Sequence, residues 1–330
     1  MNILRAEEFD VPVISIGNLS VGGTGKTPHT EYLIRLLQNK YRVAVLSRGY
    51  KRKSSGFILA NDRVTADTIG DESYQLFRKF PGILVAVDAN RKRGIKKLLS
   101  FSDEIRPEVI LLDDAYQHRY VKPSLSILLT EYSRPFSRDE LLPAGRLREP
   151  AKNEERADIV IVTKTPVSPD YGMFHEASQD LSEEFGLNPS QKLFFSGFSY
   201  GELQAVFPDA SSIYEIDSAV LFSGIASPQP LIDYLKRYIP ELIVQLFPDH
   251  HAYNQSDFDR LLGLFQTIEK SKKILITTEK DMVKLINQPL PEELKKRLYY
   301  LPVKIIFDPA QQDDFNKTII DHVTTIKRNR

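Results

Sequence analysis

The chain alternates between short unbroken apolar runs and longer stretches in which apolar residues return every three or four positions. The short runs, rich in Val, Ile and Leu, predict strands over 11–16, 42–47, 83–87, 107–114, 124–130 and 157–163. Lacking polar alternation, such strands are covered on both faces, the condition of a parallel sheet between helix layers. Helical spacing recurs around Tyr32, Leu33, Leu36 and Leu37, around Tyr74, Leu76 and Phe77, and over 88–99. Weaker strands over 56–60 and 63–66 predict a hairpin about Asn61-Asp62, and 193–196 is expected to pair with the stretch near Ile213 as a linker. From about Asp209 the pattern restarts, with strands over 219–223, 243–247, 273–277 and 299–306 and helices over 228–238, 255–268 and 279–286. The expected fold class is α/β: a mostly parallel sheet flanked by helices over 1–208, and a smaller α/β domain over 209–330 that closes over the active-site cleft.

The first strand runs into Ser20-Val21-Gly22-Gly23-Thr24-Gly25-Lys26-Thr27-Pro28, and helical spacing follows. Strand, glycine-rich turn and helix in this order make a phosphate loop of the P-loop NTPase type. Gly22, Gly23 and Gly25 let backbone N–H groups converge on phosphate oxygens, and the helix N-terminus adds positive potential. With Thr24 they form the nucleotide cradle; Lys26 reaches the β- and γ-phosphates, and the Thr27 hydroxyl ligates Mg²⁺. Ser20 stands where the first glycine of the usual pattern would be. Pro28 is compatible with a helix start, because a first-turn N–H has no intrahelical partner.

Composition narrows the field. The 330 residues contain no cysteine, which excludes disulfides, thiolate metal sites and cysteine nucleophiles. No apolar run approaches the roughly 18 residues of a membrane span, and residues 1–10 do not form a signal peptide. Net charge is zero, yet residues 1–100 carry 17 Lys and Arg against 9 Asp and Glu. The clusters Arg48, Lys51, Arg52, Lys53 and Arg91, Lys92, Arg93, Lys96, Lys97 are either solvated faces or contacts for an anionic partner, a substrate phosphate or a membrane surface.

Candidate chemistry gathers at strand ends. Ligands of open α/β sheets sit beyond the carboxyl ends of the strands, so Arg48, just after the second strand, belongs on the rim of the phosphate loop. Asp71 and Glu72 open a helix, where they serve either the helix dipole or an acceptor hydroxyl. Asp113 and Asp114 end the strand over 107–114 as a Walker B pair, with Gln117 and His118 close behind. Arg146 lies in a Pro/Gly/Arg loop over 142–150. In the second domain, Asp249-His250-His251 and Thr278-Glu279-Lys280-Asp281 occupy further strand ends.

These pieces resemble the tetraacyldisaccharide 4′-kinase family of lipid A synthesis, in its order and over nearly the whole chain: Gly17 to Pro28, Ser47-Arg-Gly-Tyr50, Gly70-Asp-Glu72, Asp113 to His118, Leu142-Pro-Ala-Gly145, Asp249-His250 and Thr278 to Asp281. The resemblance implies ATP- and Mg²⁺-dependent phosphorylation of the 4′-hydroxyl of an acylated glucosamine disaccharide 1-phosphate lipid. By carry-over, Asp71 is the base or orienting carboxylate with Glu72 beside it, Asp113 and Asp114 are the metal pair with Thr27, and Asp114 couples to His250. It further implies work at the cytoplasmic side of the inner membrane. Family members usually carry an N-terminal apolar or amphipathic anchor, and here ten residues precede the first strand. Peripheral contact with the inner-membrane surface is therefore expected, aided by the basic first hundred residues. No nucleic acid and no obligate protein partner is expected.

Two rival readings are a nucleotide switch or metallochaperone-type GTPase/ATPase acting on a protein, and a P-loop kinase or synthetase for a soluble acceptor such as a carboxylate. Against the switch, Thr163-Lys164-Thr165-Pro166 lacks the Asp of a guanine-reading loop, and Ser20-Val21 lacks the extra lysine of partition ATPases.

Overall fold

The computed structural model describes residues 6–166, 181, 184–210 and 215–328. The chain forms two compact units, Met1–Ser199 with Lys304–Arg330, and Tyr200–Val303. The division falls at residue 199 rather than 208, and the last 27 residues return to the first unit.

In chain order the first unit begins with β1 (Val13–Asn18), α1 (Lys26–Leu37), β2 (Val43–Ser47), β3 (Ile58–Leu59), α2 (Ala66–Ile69), α3 (Asp71–Lys79), β4 (Leu84–Val87), α4 (Arg91–Leu99), β5 (Val109–Asp113), β6 (Leu125–Glu131), β7 (Ile159–Thr163) and β8 (Lys192–Tyr200). The second contains β9 (Gln204–Ala205), β10 (Ser218–Ser223), α5 (Gln229–Leu235), β11 (Glu241–Leu246), α6 (Gln255–Thr267), β12 (Lys273–Thr278), α7 (Glu279–Leu285), α8 (Glu292–Lys295) and β13 (Leu298–Leu301). β14 (Val303–Phe307) and α9 (Pro309–Arg328) follow.

Nine strands make the large sheet, in the order β14-β8-β7-β6-β1-β5-β2-β4-β3. β1, which carries the glycine-rich loop, lies at its centre and pairs in parallel with both β5 and β6. Period-two geometry sorts each strand between two cores: Val43, Val45, Val109 and Leu111 join one apolar cluster, whereas Ala44, Leu46, Ile110 and Leu112 join another. Leu33, Ile34 and Leu37 of α1, Leu76 of α3 and Phe315, Ile319 and Val323 of α9 cover the first face; Ile95 and Leu98 of α4 cover the second. Such strands read as continuous apolar runs because neither face meets water.

Two expectations change. The hairpin over 56–66 does not form: β3 pairs antiparallel with β4, Ile58 opposite Val87, and the chain instead enters α2 through a capping box between Thr65 and Thr68. The single strand over 299–306 is two, β13 and β14, in different sheets on either side of Pro302, which has no N–H to continue a ladder. The 193–196 run lies in β8, parallel to β7, while Ile213 lies outside the described residues.

The smaller unit has its own five-stranded sheet, order β11-β10-β12-β13-β9, parallel except for β9. Among the described residues no helix is long and apolar enough to cross a membrane.

Candidate active site

The glycine-rich loop is held from three sides. Gly22 and Gly25 take φ of +111° and +88°, a region open to glycine but strained for residues with a Cβ. Asn18, buried at the end of β1, donates from Nδ2 to Thr24 Oγ1 at 2.9 Å, and Gln117 donates from Nε2 to the Asn18 carbonyl at 2.8 Å. The 142–150 segment runs beside the loop, with Val21 N–H donating to Arg146 C=O and Arg148 N–H to Leu19 C=O, each at 2.8 Å.

Register brings the acidic pair to this loop. Asp113 is level with Ile16 across the β1–β5 pairing, and its Oδ1 accepts from Thr30 Oγ1 of α1 at 3.1 Å. Burial, reinforced by the neighbouring carboxylates of Glu72 and Asp114, pushes Asp113 up to about 7. Asp114 turns out of the strand with φ +47°. Its Oδ1 lies 3.6 Å from Lys26 Nζ and 3.5 Å from Arg148 Nη2. Burial would raise Asp114, but these cations with Arg91 hold it below the usual carboxylate value. The adjacent acids thus differ in charge preference: at Asp113 burial and neighbouring carboxylates outweigh Lys26, whereas at Asp114 Lys26, Arg148 and Arg91 outweigh burial.

Arg91 underlies the pair. It is 2% exposed and donates to the carbonyls of Asp88 (2.9 Å) and Asp113 (3.3 Å). Burial lowers it to about 10, opposed by the fields of Asp113 and Asp114. The Arg48 charge also reaches Arg91, which puts this exposed strand-end residue beside the same cluster.

Asp71 and Glu72 occupy the first turn of α3, and that helix is fixed against its neighbours. Ser73 Oγ lies 2.5 Å from Ser47 Oγ at the end of β2, while Gln75 and Lys79 meet the buried Glu31 carboxylate of α1 at 2.9 and 2.7 Å. Gly70 (φ +87°) makes the turn before the acids, where a Cβ would come within 2.9 Å of the Tyr50 carbonyl.

The geometry agrees with what this chain is similar to. A family profile described as tetraacyldisaccharide-1-P 4′-kinase matches residues 1–324. The tetraacyldisaccharide 4′-kinase of Bacteroides thetaiotaomicron is 51% identical, covering 99% of this chain and 88% of that protein. Its counterpart in Flavobacterium johnsoniae is 46% identical, with 97% and 90% covered. The chain belongs to the tetraacyldisaccharide 4′-kinase family. A solved member, LpxK of Aquifex aeolicus in complex with ATP, matches with a TM-score of 0.70 at 29% identity, over 97% of this chain and 91% of that one.

In this 4′-kinase of lipid A biosynthesis, the larger unit gathers Gly22, Gly23, Thr24, Gly25, Lys26 and Thr27 with Asp113, Asp114 and Glu72. Gln117 is engaged by the loop backbone. Of the arginines of the 142–150 loop, Arg146 acts through its main chain, whereas Arg148 reaches Asp114 and the Asn18 side chain. The two arginines flank Leu147 symmetrically, so spacing alone does not separate them. Much of the second basic cluster is paired internally: Lys92 and Lys96 with Glu7, and Arg93 with Asp88.

The smaller unit separates its two histidines. His251 Nε2 meets Asp257 Oδ2 at 2.8 Å, and its ring stacks on Phe247, a structural role. His250 has φ +61° and sits with Nε2 3.2 Å from Lys280 Nζ, which also meets Asp249 at 3.0 Å. Asp281 of the Thr278–Asp281 motif is buried and accepts from Gly224 N–H, Ser223 and Thr278, holding the turn after β10.

Proposed function

We propose that the larger unit binds ATP on its glycine-rich loop and transfers the γ-phosphoryl in line to the 4′-hydroxyl of tetraacyldisaccharide 1-phosphate. The observation that carries this reading is the convergence of Lys26 and Arg148 on Asp114, beside Asp113 and Glu72 and at the mouth of the loop. Phosphoryl transfer needs positioning and charge neutralisation above all, and this cluster supplies both.

In the reaction, Lys26 and the loop amides hold phosphate oxygens. Lys26 exchanges its Asp114 partner for phosphate, and Arg148 remains to balance Asp114. Asp71 orients the acceptor hydroxyl and takes its proton, with Glu72 beside it, and Arg48 lies on the rim for an anionic group of the substrate. His250, borne by the smaller unit, takes part in turnover as a further catalytic residue.

The donor set fits Mg²⁺. Asp114 Oδ1 is buried without a hydrogen-bond partner, Asp113 is a buried carboxylate, and Thr27 follows Lys26. Mg²⁺ in such sites is held by one or two carboxylates together with substrate phosphates, which Asp113, Asp114 and the nucleotide supply. When bound, Mg²⁺ neutralises charge on the phosphate oxygens. The lipid acceptor places the enzyme at the cytoplasmic face of the inner membrane, as a peripheral protein.

The test is transfer of labelled phosphate from ATP, with and without Mg²⁺, to a detergent-dispersed acylated glucosamine disaccharide 1-phosphate. Transfer by the wild type, and none by Lys26→Ala or Asp71→Ala, is the expected result. Turnover on a water-soluble acceptor alone would overturn the reading.

A further inference from the structure

Two side chains outside the proposed catalytic set grip consecutive carbonyls of the phosphate loop. The Gly25 carbonyl faces His29 Nδ1 at 2.7 Å, and the Thr24 carbonyl accepts from Thr163 Oγ1 at 2.9 Å. Thr163 ends β7 and is fully buried; His29 lies in the first turn of α1 and is 3% exposed.

The chemistry of the partners fixes the histidine's tautomer. A carbonyl oxygen can only accept, so Nδ1 carries the proton. Nε2 then offers a lone pair, and Ser196 Oγ, at 2.9 Å in β8, donates to it. The ring also meets Phe307 edge-on at 6.3 Å. His29 therefore ties the end of the loop to the strands behind it.

A peptide unit is planar and trans, so its C=O and N–H point in opposite directions. Holding the Thr24 carbonyl against Thr163 turns the Gly25 N–H away from the sheet, and holding the Gly25 carbonyl against His29 does the same for the Lys26 N–H. Gly25, at φ +88°, has the freedom to rotate out of this arrangement; Phe198, whose ring would lie 3.2 Å from an added Cβ, limits the space without setting the peptide's direction. The Gly25 carbonyl also accepts the first helical bond from His29 N–H at 3.2 Å; the His29 ring adds a second, closer hold on it, and Thr163 supplies the side-chain hold on the Thr24 carbonyl.

We infer that His29 and Thr163 are positioning residues that preorganise two successive N–H groups of the loop for phosphate. The inference rests on the reading of the loop as the ATP site. Its signature is selective: affinity for phosphate-bearing nucleotides falls when either residue is lost, and affinity for adenosine does not.

The experiment compares wild type, His29→Leu, His29→Asn, Thr163→Val and Thr163→Ser for binding of ATP, ADP and adenosine, for KM of ATP and of the lipid acceptor, and for thermal stability. His29→Leu and Thr163→Val are expected to raise the ATP Kd and KM about tenfold, with the acceptor KM and adenosine binding unchanged. His29→Asn keeps a donor near the Nδ1 position and Thr163→Ser keeps the hydroxyl, so both recover most of the loss. Nitrogen-15 NMR of the free protein should show His29 as the Nδ1–H tautomer.

Thr163→Val is nearly isosteric and carries the test should His29→Leu fail to fold. Wild-type ATP affinity in folded Thr163→Val, an Nε2–H tautomer at His29, or equal loss for ATP and adenosine would each overturn the inference. A wild type that does not bind ATP would instead overturn the ATP-site reading on which it rests.

Discussion

The Lys26 ammonium lies 3.6 Å from Oδ1 of Asp114, the same oxygen that Arg148 approaches at 3.5 Å from the opposite loop. Two cations on one buried carboxylate oxygen store a charge arrangement that an incoming phosphate can reorganise without leaving Asp114 uncompensated. Replacing Arg148 by Ala should lower kcat/KM by about a hundredfold, in the range seen when one preorganised charge is removed. Arg146→Ala, whose contacts are made by its backbone, should stay within about threefold. Steady-state kinetics on the two variants checks this directly, and equal losses would remove Arg148 from its role.

Asp71 sits at the start of a helix that Ser73, Gln75 and Lys79 fasten to its neighbours. Asp71→Asn should therefore preserve the fold and ATP binding while cutting kcat by about 10² to 10⁴. Nucleotide binding measured beside turnover separates the two effects. Parallel loss of both counts against the base role.

Glu31 is the buried carboxylate that joins the helix of the phosphate loop to the helix of Asp71. Glu31→Leu removes the acceptor of the buried Gln75 amide and the counter-ion of the partly exposed Lys79. A loss of about 2 kcal/mol is expected in urea unfolding, within the usual cost of leaving a buried hydrogen-bonding group unsatisfied.

His322 of α9 meets Ser124 Oγ at 2.9 Å, and burial holds its pKa below the ordinary 6.5, only partly opposed by Asp158. The unfolded chain then binds a proton that the folded chain resists, so this group's stability is complete above pH 6.5 and is lost as pH falls below it. His322→Gln should flatten the decline. Urea midpoints of both proteins at pH 8 and pH 5.5 give the comparison, and a wild-type decline unchanged in the variant would rule His322 out as its source.

Much of this molecule is legible in its sequence. The strands of the large sheet are covered on both sides, so they appear as unbroken apolar runs. The glycine-rich turn announces itself because few residues besides glycine adopt the φ that Gly22 and Gly25 require. Asp113 and Asp114 were visible because a strand end is where the chain can present acids to a ligand.

Other features depend on residues far apart in sequence. Pro302 ends one strand and the next joins another sheet, a division that local apolarity over 299–306 does not record. The capping box at Thr65 and the pairing of β3 with β4 outcompeted a hairpin whose turn was locally plausible.

The α/β class, the phosphate loop and the acidic strand ends are written locally in the chain, since they follow from periodicity and from backbone geometry that particular residues permit. Packing in three dimensions selects Arg148 rather than Arg146 for Asp114, separates the charge preferences of Asp113 and Asp114, and brings His29 and Thr163 to the loop carbonyls. Those outcomes depend on distance, burial and the field of neighbouring charges, which become defined only when separate segments of the chain pack together.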